Sequence, residues 1–307
     1  MRARSLLAGL GAGSLVSCSA LAQPVLYGVT AAGELVRIDA ATGAGTLIGA
    51  SGMGCNAAAA DNEGRILIGG GASAQADQIM SLDPATGAGS VFLNTVGRPV
   101  GFGVRGMAVC PNGTLYVVLS SATTTVIDTL ARINLTSGQY TVIGPTGRTD
   151  LQSLMCTPEN ALFTLGTNSG GQLFSLNAGT GAATLVGPSG LSGDDQAIDF
   201  VPGVGAVTAR ANLRAVDLAT GASTLIGATG FADLRGLAVV VPGGLPCYAN
   251  CDGSTAAPVL NVADFGCFLT KYAAGEAYAN CDGSTTSPVL NVADFGCFLT
   301  EYAAGCR

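Results

Sequence analysis

The chain has 307 residues, of which 11% are charged, and a formal net charge of −7. That acidic balance, with Lys271 as the single lysine, argues against nucleic-acid and anionic-membrane partners. The absence of histidine and tryptophan removes Ser-His-Asp and Cys-His nucleophile systems, every His-based metal site and any indole platform for sugars.

Residues 1–22 read as a secretory signal peptide. A basic MRAR start precedes the apolar run LLAGLGAGSLV, which is too short to span a bilayer, and Ala20-Leu21-Ala22 makes a small-x-small cleavage site. A rival reading processes the chain at Leu15-Val16-Ser17-Cys18 as a lipoprotein. No later apolar run reaches membrane length without Gly, Pro or polar breaks. The expected location is therefore outside the cell, secreted or at the surface, for an exported bacterial protein.

The 46 glycines are roughly twice the usual share, but a long-period repeat marks a folded chain. One phrase recurs five times: ELVRIDAATGAGTLIG, QIMSLDPATGAGSVFL, LARINLTSGQYTVIG, QLFSLNAGTGAATLVG and NLRAVDLATGASTLIG. Its Asx residue falls at Asp39, Asp83, Asn134, Asn177 and Asp217, with spacings of 44, 51, 43 and 40. Each phrase predicts a hairpin. The Asx side chain accepts a backbone N–H two residues on, and the glycine of TG or SG takes the position of positive φ.

A second hairpin precedes most phrases, as in GMAVCPNGTLYVVL and SLMCTPENALFTLG. Four strands per repeat is the size of a propeller blade. The first repeat lacks its first strand and begins at VLYGVT; LRGLAVVV comes after the fifth phrase with no phrase behind it. The expected fold of residues 23–242 is therefore all-β, a five-bladed β-propeller whose last strand closes blade one. An open β-solenoid is the alternative. The repeats resemble TG-phrase propeller repeats of exported bacterial proteins, a likeness that implies a fold and no activity.

The most acidic segment is SGDDQAIDF, with Asp194, Asp195 and Asp199. Paired carboxylates serve as acid and base in glycoside hydrolysis, but a solvated turn entering a blade accounts for these three. Cys110 and Cys156 occupy matching places in neighbouring repeats, with Cys55 comparable. Three is an odd number, so matching does not by itself pair them. Cys55 reads as a small buried hydrophobe.

The linker VVPGGLP ends the repeat domain, and six cysteines crowd into the C-terminal segment: Cys247, Cys251, Cys267, Cys281, Cys297 and Cys306. Residues 247–307 hold one sentence written twice, at 250–275 and 280–305: NCDGSTAAPVLNVADFGCFLTKY and NCDGSTTSPVLNVADFGCFLTEY. With three residues removed after Thr255, the oxygen donors fall at EF-type calcium-loop positions. They are Asn250, Asp252, Ser254, the Val259 carbonyl, Asn261 and Asp264. The second copy supplies Asn280, Asp282, Ser284, the Val289 carbonyl, Asn291 and Asp294. Asn261 caps a helix, with Asp264 completing a capping box. Phe265, Phe268, Leu269 and Tyr272 make one apolar face, and Gly275 stops the helix. One such unit cannot bury its face alone, whereas two packed together can. The rival reading is a vestigial loop held by disulfides without metal.

These pieces resemble the type I dockerin module in its Cys-bearing GC-type variety. The resemblance implies a small α-helical domain with two EF-type calcium loops, Ca²⁺ as cofactor, and antiparallel packing of the repeats. It also implies a protein partner, either a cohesin-like domain or a cell-envelope component to which the module serves as sorting or anchoring tag. The loops depart from the family pattern by Asn at the first position, Ser at the fifth and an insertion with Pro258 or Pro288. With two formal charges per loop, affinities near ~10⁻⁴ to 10⁻³ M are expected. Six cysteines allow 15 pairings. Repeat symmetry favours Cys251–Cys267 and Cys281–Cys297, leaving Cys247–Cys306 to clasp the ends. The expected function is a non-catalytic exported propeller attached through a calcium-dependent module. The alternative is an extracellular, polysaccharide-acting or otherwise hydrolytic enzyme carried as dockerin cargo.

Overall fold

A computed structural model describes residues 23–70, 77–121, 125–167, 171–191, 195–241, 248–254, 258–284 and 287–305. The expected signal peptide at residues 1–22, Asp194 and the expected Cys247–Cys306 disulfide lie outside the described residues.

The strands run in chain order. They are β1 (Val25–Thr30), β2 (Glu34–Ile38), β3 (Gly45–Ala50), β4 (Ala57–Ala60), β5 (Ile66–Gly69), β6 (Gln78–Leu82) and β7 (Gly89–Asn94). Next come β8 (Phe102–Val109), β9 (Leu115–Ser121), β10 (Thr129–Ile133), β11 (Tyr140–Pro145), β12 (Met155–Cys156), β13 (Leu162–Gly166) and β14 (Gln172–Leu176). The last are β15 (Ala183–Pro188), β16 (Ala197–Val201), β17 (Gly205–Ala209), β18 (Asn212–Val216), β19 (Ser223–Ala228) and β20 (Leu234–Val240). They form five four-stranded antiparallel sheets, and the one that opens the chain has the order β20-β1-β2-β3. The final strand therefore completes blade one, with Leu26 opposite Val239 and Gly28 opposite Leu237. The innermost strands β20, β4, β8, β12 and β16 touch in a closed ring. Closure pairs β1 with β20, so blade one has its full four strands and only short, protected edges remain around the channel.

Each repeated phrase is the hairpin between the third and fourth strands of a blade. The Asp39 carboxylate accepts the Ala41 N–H at 2.8 Å, and Asp83, Asn134, Asn177 and Asp217 accept the equivalent bond at 2.8 to 2.9 Å. The phrase glycines, Gly43, Gly87, Gly138, Gly181 and Gly221, have φ between 72° and 83°. They also make the contact between blades. A Cβ on Gly43 would lie 2.6 Å from the Gly227 carbonyl oxygen, so the seam that closes the ring uses the same close approach as Gly181 on Gly144 and Gly221 on Gly187.

A bulge recurs in every outer strand, where Ile48, Phe92, Ile143, Val186 and Ile226 are passed over in the register. Each of these side chains packs against a buried cluster shared between strands. Their predecessors Leu47, Val91, Val142, Leu185 and Leu225 stay at least half exposed. Bulges bend and twist the strand that carries them, which suits the rim of each blade.

A disulfide joins Cys110 to Cys156 across neighbouring blades, with Cα atoms 5.2 Å apart. The matched positions just past β8 and at the end of β12 bring the two sulfurs together. Cys55 is a buried thiol that donates to the Ala57 carbonyl at 3.3 Å, and burial pushes its pKa up to about 12.

The C-terminal domain has two helices, α1 (Val262–Ala274) and α2 (Val292–Ala304), with a short 3₁₀ turn at Ala277–Ala279. Among the described residues no helix is long and apolar enough to cross a membrane.

Candidate metal centre

Asn261 and Asn291 cap α1 and α2. Each side chain accepts from the N–H two residues on at 2.8 Å, and Asp264 and Asp294 close the capping boxes. Gly275 ends α1 in the left-handed conformation at φ 72°. These local signals fix where the helix-borne carboxylates stand. Asp264 and Asp294 are both fully buried.

The two loops wrap these carboxylates in the same way. Asp264 accepts the Asn261 N–H at 2.8 Å and the Asp252 N–H at 3.3 Å. Asp294 accepts from Asn291 at 2.8 Å and from Asp282 at 3.2 Å. Asp252 and Asp282 accept the N–H of Ser254 and Ser284. Asn250 and Asn280 donate their Nδ2 to the Ser254 and Ser284 carbonyls at 2.8 and 2.9 Å. The Ser284 hydroxyl donates to the Val289 carbonyl at 3.0 Å. Burial pushes the Asp294 carboxyl up, and the neighbouring Asp282 carboxyl pushes the same way, against the N–H groups of Asn291 and Asp282.

One pair of atoms is left over. The Oδ1 atoms of Asn250 and Asn280 are buried and accept no hydrogen bond among the described residues. They occupy the same place in the two loops. A buried polar group without a partner is costly, and here the cost is incurred twice, each time in the loop whose closing carboxylate is itself out of solvent. The donor set is hard oxygen throughout: two carboxylates, amide oxygens, a hydroxyl and a carbonyl, the chemistry that suits a hard divalent cation. Among the described residues no three His, Cys, Asp or Glu side chains gather as a metal-holding group.

Disulfides tie each loop to its own helix. Cys251 is joined to Cys267 and Cys281 to Cys297, each with Cα atoms 5.7 Å apart. Between the helices, Phe268 stacks on Phe298 with centroids 4.1 Å apart, and Phe265 meets Phe295 edge-on at 5.3 Å. Tyr272 packs against this core, while Leu269 is 41% exposed. The apolar face is therefore narrower than the helical period suggests, because the Phe268–Phe298 stack fills the seam.

Sequence reading missed a second pair. Tyr248 and Tyr278 stack at 4.9 Å, and each hydroxyl donates to the other's backbone carbonyl, at 2.7 Å for Tyr248. Burial raises the pKa of both. The signal was present in the repeated YANCDG. The module also touches the propeller, where the Asn112 amide donates to the Cys281 carbonyl at 3.3 Å.

Among the described residues of the acidic segment, Asp195 and Asp199 do not come together. Asp195 borders a surface cleft with Arg210 and Arg214. Asp199 lies inside β16 rather than in an entry loop, opposite Val207, and faces a different cavity. Its carboxylate accepts the N–H groups of Phe200 and Val239 at 2.8 and 2.9 Å. Burial nevertheless pushes its pKa up to about 7.

Together the blades and the module define a five-bladed propeller with a small, disulfide-bearing helical domain at its C-terminal end. No protein-family profile matches the chain, and no curated protein matches it. Several solved structures are similar to this chain. A protein of unknown function from Bacteroides caccae is 12% identical over 71% of this chain and 99% of its own, with a TM-score of 0.41. A chain of a nidogen/laminin complex is 12% identical over 71% and 98%, at 0.46. Regucalcin of Agrobacterium tumefaciens strain C58, a calcium-binding protein, is 17% identical over 72% and 83%, at 0.45. Likenesses this remote say nothing of what this chain binds.

Proposed function

We propose that the protein is an exported, non-catalytic propeller attached to a protein partner or envelope component through a C-terminal dockerin-like module that holds two Ca²⁺ ions. The observation that carries this reading is the pair of orphaned amide oxygens, Asn250 Oδ1 and Asn280 Oδ1, each in a loop closed by a buried helix-borne aspartate. In the first loop Asn250, Asp252, Ser254, the Val259 carbonyl, Asn261 and Asp264 would hold the ion. In the second the set is Asn280, Asp282, Ser284, the Val289 carbonyl, Asn291 and Asp294. Bound Ca²⁺ would neutralise the paired carboxylates of each loop and give the stranded amide oxygen a partner. The loops would then hold the two helices at a fixed angle, presenting their outward residues, such as Val262 and Val292 at 84% exposure, as a rigid docking surface. The non-catalytic part rests on the lack of histidine and on Asp195 and Asp199 bordering separate cavities.

Titration calorimetry of the chain with Ca²⁺ tests the reading. Two sites are expected, with dissociation constants of about 10⁻⁴ to 10⁻³ M. Asp264→Ala with Asp294→Ala should abolish the heat while far-UV circular dichroism of the propeller is unchanged. A wild-type chain that neither takes up Ca²⁺ nor gains thermal stability at about 10 mM of it would refute the reading.

A further inference from the structure

At one end of the propeller channel the inner strands run into short corners, three of which carry proline: Pro111 after β8, Pro158 after β12 and Pro202 after β16. Together with Phe200 and Val241 they form a greasy collar, and the C-terminal module sits over it with Tyr248 and Tyr278. Between collar and module lies a chamber of about 420 Å³. Small-molecule sites are typically apolar cavities of ~300–1,000 Å³ with a few convergent polar groups.

The polar groups here are few: Asp199, the two tyrosines, and Asn250, whose buried Oδ1 has no partner among the described residues. The two tyrosine hydroxyls are used on each other's carbonyls. Asp199 is the one acid among the lining residues, and no basic side chain is among them. Its two backbone N–H bonds hold the carboxyl in place without neutralising it. A lone carboxyl in an apolar wall calls for a cation, and a cavity of this size calls for an organic one. Aromatic rings in the same wall add a surface to which ammonium groups are attracted.

We infer that the chamber between the propeller mouth and the C-terminal module is a binding site for a compact apolar amine, whose ammonium pairs with Asp199 and whose hydrocarbon body fills the collar. The upward shift of the Asp199 carboxyl to about 7 agrees with a site lacking its counter-ion. The ammonium's partner, Asp199, belongs to the propeller wall, whereas Tyr248, Tyr278 and Asn250 of the first loop belong to the module.

The test uses the full chain with 1-adamantylmethylamine and its neutral isostere 1-adamantylmethanol, by calorimetry at neutral pH. The amine should bind with a submillimolar dissociation constant, roughly tenfold tighter than the alcohol. Asp199→Asn should erase that preference by weakening the amine and leaving the alcohol within about twofold. Ala60→Trp, which fills the chamber from the end of β4, should block both compounds. Pro158→Trp does the same from the opposite side of the collar should the first variant fail to fold by circular dichroism. Equal affinity for amine and alcohol, no saturable binding below about 10 mM, or binding unchanged in the filled variants would overturn the inference.

Discussion

Replacing Gly87 by alanine isolates what holds one blade to the next. Gly87 has φ +76°, and a Cβ there would lie 2.7 Å from the carbonyl carbon of Gly49 and 2.8 Å from its oxygen. Both atoms belong to the backbone of the adjoining blade, so no side-chain rotation relieves the clash. Gly49 is equally confined, since its own Cβ would sit 2.0 Å from the Thr86 carbonyl. Gly203 provides the control, with φ +83° and nothing within 4 Å of its Cβ position. A left-handed backbone costs a residue with a side chain about 1–2 kcal/mol. Gly203→Ala should lose that amount and little else. Gly87→Ala must in addition force two blades apart, an overpacking cost of about 1–3 kcal/mol, for a total near 2–5 kcal/mol. The gain from a stiffer unfolded chain is common to both variants and cancels in their difference. Urea unfolding monitored by far-UV circular dichroism measures each loss, with m checked for constancy. If the two variants lost the same stability to within about 0.5 kcal/mol, the phrase glycine would be a turn former only, and the account of blade contact would be wrong.

The same geometry sets three further outcomes. The Cys110–Cys156 bond spans 46 residues, and loop-closure entropy puts its contribution near 4 kcal/mol; the Cys110→Ala, Cys156→Ala pair should lower the urea midpoint accordingly, and a loss below about 1 kcal/mol would contradict it. Backbone N–H groups, first of all those of Ala41, Ala85 and Ala219, hold the Asp39, Asp83 and Asp217 carboxyls below the ordinary 3.8. Their stabilisation is present above pH 3.8 and lost as acid takes the pH below it. Changing all three to Asn, which already makes this turn at Asn134 and Asn177, should flatten the acid limb of the stability curve; an unaltered limb would count against the turns. Asp199 has the opposite sign: its folded pKa, about 7, lies above the ordinary 3.8, so its ionisation weakens the fold progressively between those values. The stability of Asp199→Asn relative to wild type should rise from pH 4 to pH 7 and then level off, and parallel curves would show that the carboxyl is solvated.

How much of this was legible depends on how often a feature is written. The Asx-to-glycine turn is spelled five times, and its chemistry is local, so the hairpins and the blade count could be read from spacing alone. The closing strand was legible because the first repeat is one strand short and LRGLAVVV is one strand over. The capping boxes of α1 and α2 were legible for the same local reason, each resting on residues three apart. Leu269 misled because a 3.6-residue period marks a face without saying how wide a partner covers it. Two short helices meeting through Phe268 and Phe298 leave the flank of that face in solvent.

Two of the features that escaped arise once, from the way the blades meet around the ring. Cys110 and Cys156 are 46 residues apart and become neighbours only when β8 and β12 stand side by side around the channel. SGDDQAIDF looks solvated, since three acids in six residues suggest a turn. Asp199 is drawn inward because β16 starts at Ala197, and because the carboxylate finds the Val239 N–H of a strand 40 residues later. That bond exists only because β20 returns to close blade one beside blade five. The same closure that completes blade one therefore places an acid against the apolar collar, and the module then covers it. A carboxyl so placed gains nothing for the fold that Asn or Ser could not supply through the same two N–H groups. Its charge is the part that stability leaves unexplained, and a binding role in the chamber accounts for it.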